Sequence, residues 1–408
     1  MKKIIIVSIM VMVISIMTMS DSLRSFDSYL NPSLLEATGK RDFFELEISP
    51  NIFIYQNLYR GIEIFSLFNS EKLTLDLEEI NKALNGDDLL FDTINDLEGH
   101  FIVHIFNFGF GFVTNGNLKS NIIVPNELIK LIAEGNKIDE QYKGTILFDL
   151  DSSIKAGIYG SYNFDGYTLG IVYNLFLPIV YTKKSDVEYL LKTSKEEAMT
   201  NFEIDVNLDL YSSFNNGDIK KIDFNTLAND LFSDASGRSF DVGITLGNPK
   251  NPYMGFSLKN INIKKAKVLY KIPYQETIKF EDETLESTIT NENTIVELSS
   301  PEEYSYPIGL SAFFRIPVLV IDIIPYGELY LESKLINWGI KLKTSLLEFM
   351  PLSLGIEKNF GYWKASLGFG LNTRIIENST EVSLVNKEIQ NLFDINSITF
   401  KTHFALGF

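Results

Sequence analysis

The chain contains no cysteine, and of its 408 residues only 12 are proline and 3 histidine. Without cysteine there is no disulfide framework and no thiolate metal site. Beyond residue 20 there is no run of eighteen apolar residues, so no later stretch can cross a bilayer as a helix. Any part of the mature chain that spans a membrane must therefore do so as strands. Positive charge is scarce too: 36 Lys and Arg stand against 53 Asp and Glu, a formal charge of −17. With no basic patch to offset it, this balance excludes nucleic acid as a partner. Nucleophile-elbow and phosphate-loop patterns are missing, and Gly109-Phe110-Gly111 lacks the spacing of a dinucleotide site. No catalytic residue, enzyme activity or cofactor is expected.

What is present begins with a leader. Lys2 and Lys3 precede an apolar core from Ile4 to Ile16, and Thr18 and Ser20 are small residues before a cut at Asp21. The core is short for a span, so residues 1–20 read as a cleaved signal peptide, with an uncleaved anchor as the alternative. Loss of its two lysines takes the mature charge to −19.

The far end carries the clearest pattern. Ile398, Phe400, Thr402, Phe404, Leu406 and Phe408 alternate with Thr399, Lys401, His403, Ala405 and Gly407. Successive strand side chains point to opposite faces, so this is a two-faced strand about as long as a tilted membrane strand. It resembles the closing strand of outer-membrane β-barrels. That resemblance makes Phe404, Leu406 and Phe408 candidates for the signal read by the barrel-assembly machinery. A buried edge strand of a soluble β-sandwich would show the same alternation.

Between the two ends, strand candidates follow one another. Phe43–Gln56, with a kink at Ser49-Pro50, and Leu58–Phe68 come first, then a helical stretch over Leu73–Leu97 and a strand over His100–Phe112. Pro125 opens a helix that stops at Gly135-Asn136. Asp165-Gly166 joins alternating runs over Ile146–Tyr181 into a hairpin. Phe202–Leu210 reads apolar on one face and acidic on the other, and Asp223–Phe232 is a short amphipathic helix. Lys264–Tyr304 reads as a long acidic loop with room for a hairpin near Val268–Ile272, and Glu377–Asp394 as a final loop. The total is about fourteen strands, within a range of about twelve to sixteen. Counted back from the carboxyl end, this scheme puts the acidic loop on the rim that should carry short turns.

Two further stretches extend the resemblance. Asn31-Pro32 follows the leader, and Phe240-Asp241-Val242-Gly243 pairs with Met254-Gly255-Phe256-Ser257-Leu258-Lys259-Asn260. Together they resemble the long-chain fatty-acid transporter (FadL) superfamily, which includes the PorV-type secretion accessories. The resemblance implies a signal peptide at 1–20, a segment at 21–42 that is a lumen plug, with Asn31 and Pro32 as plug candidates, or else a plain linker, and a barrel at 43–408. The fold class expected is all-β: a transmembrane antiparallel barrel with short helices in its connections, in an outer membrane.

It also implies passive passage of hydrophobic small molecules past kinked wall strands, for which Pro178, Pro317 and Pro325 are candidates. A secreted protein would be the partner of a PorV-like accessory, and outer-membrane lipid the surroundings of either. A secreted soluble β-protein or adhesin is the reading from another class. An apolar outer belt separates barrel from soluble protein, and a continuous apolar lumen with a side opening separates transporter from accessory.

The histidines offer no metal set along the strand. His100 and His104 share a face but stand roughly 13 Å apart, too far for one ion, and His403 is alone. All three read as surface or lumen residues. Phe106, Phe108, Phe110 and Phe112 form a stripe that reads as lipid-facing wall, with a hydrophobic cargo groove as the alternative.

Overall fold

The computed structural model describes residues 43–57, 81–82, 84–134, 141–183, 186–193, 202–214, 224–249, 251–281, 284–289, 295–344, 350–373, 375–393 and 397–407. The leader, the plug segment with Asn31 and Pro32, the strand expected over Leu58–Phe68 and Phe408 lie outside these residues.

In chain order the strands are β1 (Phe44–Gln56), β2 (Leu89–Ile105), β3 (Phe108–Val124), β4 (Gln141–Phe164), β5 (Tyr167–Thr182), β6 (Asp186–Thr193) and β7 (Phe202–Ser212). Then come β8 (Gly237–Asn248), β9 (Asn251–Lys264), β10 (Ala266–Glu281), β11 (Thr284–Ile289), β12 (Val296–Tyr304), β13 (Gly309–Phe314) and β14 (Ile316–Val318). The last are β15 (Ile321–Tyr330), β16 (Leu335–Thr344), β17 (Leu352–Asn359), β18 (Tyr362–Asn372), β19 (Ile376–Asn386) and β20 (Ser397–Gly407). Helices α1 (Asn126–Glu134) and α2 (Phe224–Leu231) lie in connections.

All the pairings are antiparallel, and the sheet closes because β20 pairs with β1, Leu406 opposite Leu46 and Phe400 opposite Ile52. The closed circuit passes through sixteen strands. Two of them, β6 and β7, enter between β4 and β5 only at one end: β6 pairs with Gln141–Leu147 of β4, and β7 touches β5 at Tyr181 and Thr182. Below that level β4 and β5 pair directly from Asp151–Tyr181 down to Phe164–Tyr167, and fourteen strands surround the lumen. The expectation of about fourteen is thus corrected by the β6–β7 pair, which joins the circuit only at one end of β4 and β5. β7, whose alternation fits a wall strand, stands instead in a sheet of β6, β7, β10, β11 and β12 at that rim.

The two rims differ. One carries both ends of the barrel, before β1 and after β20, and short connections such as Phe106-Asn107 and Asp165-Gly166. The other carries α1, α2 and the β6–β7 and β10–β12 extension. The acidic stretch 264–304 therefore belongs to the long-loop rim, which removes the conflict in the strand count. The missing element is β19, read from sequence as loop. Its Glu377, Glu381 and Ser383 are buried against the lumen, so a strand whose inner face is acidic looked like a solvated connection. Likewise 264–304 is mostly strand, because an extension clear of the membrane needs no apolar face.

Local chemistry explains the joints. Gly166 adopts φ +90, in the left-handed region the Asp-Gly turn requires. Gly166→Val is expected to lower stability by about 1–3 kcal/mol, measured as a shift in the urea midpoint of the folded barrel. α1 starts just after Pro125, whose carbonyl accepts from Leu128 N at 3.0 Å, as its sequence signal requires. The helical stretch expected up to Leu97 ends earlier: Asn81, Lys82 and Leu84 are helical, and β2 begins at Leu89.

The prolines mark three kinds of irregularity. Opposite Pro178 the β4–β5 register shifts between Ser152 and Ser153. Pro325 faces the break that separates β13 from β14, and Pro317 lies within the three-residue β14. Pro50 leaves β1 unbroken, but the β1–β20 ladder lapses at Ser49 and Pro50.

Candidate functional site

Strand alternation sorts every wall residue into one of two environments. On β1, Glu45, Glu47, Ser49, Phe53 and Tyr55 are buried inside, while Leu46, Ile48, Ile52 and Ile54 are exposed outside. On β18, Lys364 and Ser366 point inward, and Leu367, Phe369 and Leu371 outward. The inward set encloses a cavity of about 590 Å³ lined by seven carboxylates and seven lysines, with tyrosines and asparagines between them.

These charges are paired between strands along the inner wall rather than along one strand. Lys341 Nζ on β16 reaches Glu381 on β19 at 3.2 Å, passing over two intervening strands. Lys259 on β9 pairs with Glu328 on β15, and Lys364 with Glu357 at 3.6 Å. The pair with most partners is Lys155–Asp241. Asp241 Oδ2 accepts from Lys155 Nζ at 3.0 Å and Asn174 Nδ2 at 2.9 Å, and Oδ1 accepts from the Asn260 amide at 2.7 Å. Lys155 also donates to Asn260 Oδ1 at 2.8 Å.

The backbone makes this knot possible. Asn260 sits at φ +57, where asparagine is tolerated, and the β8–β9 register shifts between Phe240 and Val242, so the bulge turns its amide toward the carboxylate. The Asp241 and Asn260 positions are those that carry the sequence resemblance. Ser257 of the same stretch meets Ser311 at 2.5 Å.

An aromatic group closes one side of the cavity near the Pro178 bulge. Tyr304 OH donates to Asp151 at 3.0 Å, Tyr306 and Ser153 hydroxyls meet, and the Phe176 and Tyr306 rings lie 5.1 Å apart, edge to face. Phe176 and Leu177 are wholly buried there, with Leu231 of α2 and Ala235 just beyond it packed on Leu177.

The outer surface has the opposite character. Each strand of the fourteen-strand ring exposes a large apolar side chain, among them Phe101, Phe110, Ile158, Ile171, Val242, Phe256, Leu310, Ile340, Leu354, Leu367 and Phe404. Phe108, Phe110 and Phe112 are exposed, as the stripe predicts, and Phe106 caps the short-turn rim. Water would not tolerate so continuous an apolar girdle, while the charges lie within. The chain is a transmembrane β-barrel.

That result sets aside the soluble sandwich and the secreted soluble reading. Phe404 of the barrel's closing strand faces outward, with the half-buried Leu406 at the equivalent position two residues on. His100, His104 and His403 all face inward and are buried. The sequence reading considered histidines along one strand and missed the carboxylates that a neighbouring strand supplies: Glu47 is the cross-strand partner of His100. The lumen ion pairs were missed for the same reason, since their members lie up to 86 residues apart. Period-two alternation of Lys, Glu and Asp against apolar residues is the signal that points to them.

No family model matches the barrel's sequence, and no curated protein does. Among solved structures the barrel is similar to the P. putida toluene transporter TodX, with 8% identity over 95% of this chain and 96% of that one, at a TM-score of 0.49. It is also similar to the CymD monoaromatic hydrocarbon channel, with 9% identity over 95% of this chain and 94% of that one, at a TM-score of 0.33.

Proposed function

We propose that this barrel resides in an outer membrane, long-loop rim outward, and admits small molecules passively. The observation that carries the reading is the lumen cavity of about 590 Å³ inside a closed wall, a size that suits a single small ligand. Its lining narrows the cargo. The continuous apolar lumen set as the mark of a transporter of hydrophobic cargo is not formed among the described residues, where tyrosine rings alternate with amides and paired charges; this counts against a wholly apolar cargo. Such a surface suits a small molecule with a hydrophobic body and a polar end, the ring or chain resting on Tyr304, Tyr306 and Tyr330. The irregular wall at Pro178, beside this aromatic group, is the place for an apolar body to leave sideways, in keeping with the FadL resemblance.

The cleaved leader at 1–20 delivers the chain, and Phe404, Leu406 and Phe408 present the assembly signal. One feature favours a PorV-like accessory as the second reading. The β10–β12 sheet on the outer rim ends in β12, which is mostly exposed and pairs only with β10 among the described residues, so it offers a strand edge to a protein.

Proteoliposome swelling tests the channel. Vesicles containing the folded barrel are expected to swell in phenylalanine faster than protein-free vesicles, and faster than in arabinose. Equal rates with and without protein for both solutes would overturn the channel reading. Because carboxylates and lysines are equal in number around the cavity, the conductance in planar bilayers should be weakly ion-selective, with a reversal potential near zero across a KCl gradient.

A further inference from the structure

Beside the closing seam lies a cluster that the channel reading does not use. Glu45 and Glu47 on β1 and His100 on β2 are all at least 97% buried, and one ligand atom from each falls within 4.8 Å of the others. His100 Nε2 lies 3.1 Å from Glu45 Oε1 and 3.4 Å from Glu47 Oε2. Donor atoms about 2.0–2.2 Å from a tetrahedral metal are about 3.4 Å apart, so these spacings match the edges of such a polyhedron.

The state of Glu47 points to a cation. Its Oε1 accepts from Ser49 Oγ at 2.9 Å and lies 2.8 Å from His403 Nδ1 on β20. Its Oε2 is buried and has no hydrogen bond among the described residues, as is true of His403 Nε2. A buried carboxylate oxygen left in this way is costly. A metal ion among Glu45 Oε1, Glu47 Oε2 and His100 Nε2 gives Glu47 Oε2 the partner it lacks. Ser49 and His403 then hold the second oxygen of Glu47, as outer-shell groups do for ligating carboxylates. The lapse in the β1–β20 ladder at Ser49 and Pro50 is bridged by this side-chain contact, Ser49 Oγ to His403 Nδ1 at 3.1 Å.

We propose that Glu45, Glu47 and His100 form a site for a divalent transition ion, with Zn²⁺ the best match, that fastens β1 to β2 beside the strand pair that closes the barrel. Two carboxylates and one imidazole are a donor set suited to Zn²⁺ or Mn²⁺. The site is independent of what the lumen conducts.

The test uses the untagged full-length barrel, folded in detergent, stripped with chelator and titrated with Zn²⁺ by calorimetry. One saturating equivalent is expected, abolished in His100→Gln and in Glu47→Gln, and weakened about 10- to 100-fold in His403→Gln. Absorption spectroscopy at the zinc edge of the loaded wild-type barrel should show a nitrogen and oxygen shell with the scattering of one imidazole, a measurement that requires no variant to fold. Absence of saturable Zn²⁺ and Mn²⁺ uptake by the stripped wild type would overturn the site. So would a shell containing two or more imidazoles, or retention of the full equivalent by both Glu47→Gln and His100→Gln.

Discussion

Asp241→Ala is expected to lower barrel stability by about 3–5 kcal/mol, the usual result of removing one member of a buried ion pair. Asp241 receives Lys155, Asn174 and the Asn260 amide, so its loss strands a lysine between β4 and β9 and leaves the bulge amide without its acceptor. The readout is the denaturant midpoint of purified barrel, followed by the change in gel mobility between folded and unfolded forms. Asp241→Asn is the informative companion. It keeps an acceptor for Asn260 N while removing the charge, and should fall between wild type and alanine. Equal midpoints for wild type and Asp241→Ala would mean that the knot contributes nothing and that the lumen is hydrated enough to screen it.

The second large effect lies on the other face of the wall. Leu367→Arg, at the centre of β18 and 55% exposed, should lower stability by about 2–4 kcal/mol in a bilayer, the cost of a cation at mid-membrane depth. Its neighbours Leu354 and Val382 sit at the same level, so no polar partner lies directly across the strand. Ile389→Arg is the control: Ile389 is also exposed, but on the connection beyond β19 at the long-loop rim, and its change should stay within about 0.5 kcal/mol. The contrast between two exposed apolar residues is what a membrane belt requires; a soluble sheet would give small effects at both.

Much of the architecture can be read from residue alternation, because a membrane wall makes alternation obligatory. β18 and β20 show it in full: Leu367, Phe369 and Leu371 against Ser366, Gly368 and Gly370; Phe400 and Phe404 against Thr399 and His403. Turn chemistry did the same for Asp165-Gly166, and Pro125 for α1. Reading failed where the barrel departs from the simple wall. β19 carries Glu377 and Glu381 on a face buried in the lumen, and burial of charge there depends on partners such as Lys341, 40 residues earlier. β10 to β12 stand clear of the belt and need no apolar stripe. The candidate site was legible only as residue types: the Asp241 and Asn260 stretches were visible, but their meeting needs the β8–β9 bulge, and the Glu47–His100 pairing needs the β1–β2 register. Both are set by the sheet as a whole.

The most direct test of the account is gel mobility joined to fractionation. The chain is expressed with its leader, membranes are separated, and outer-membrane samples are run with and without boiling. A closed barrel resists detergent until heated, so the account predicts an outer-membrane band that migrates faster unboiled than boiled. A protein recovered in the soluble fraction, with the same mobility before and after boiling, would contradict it.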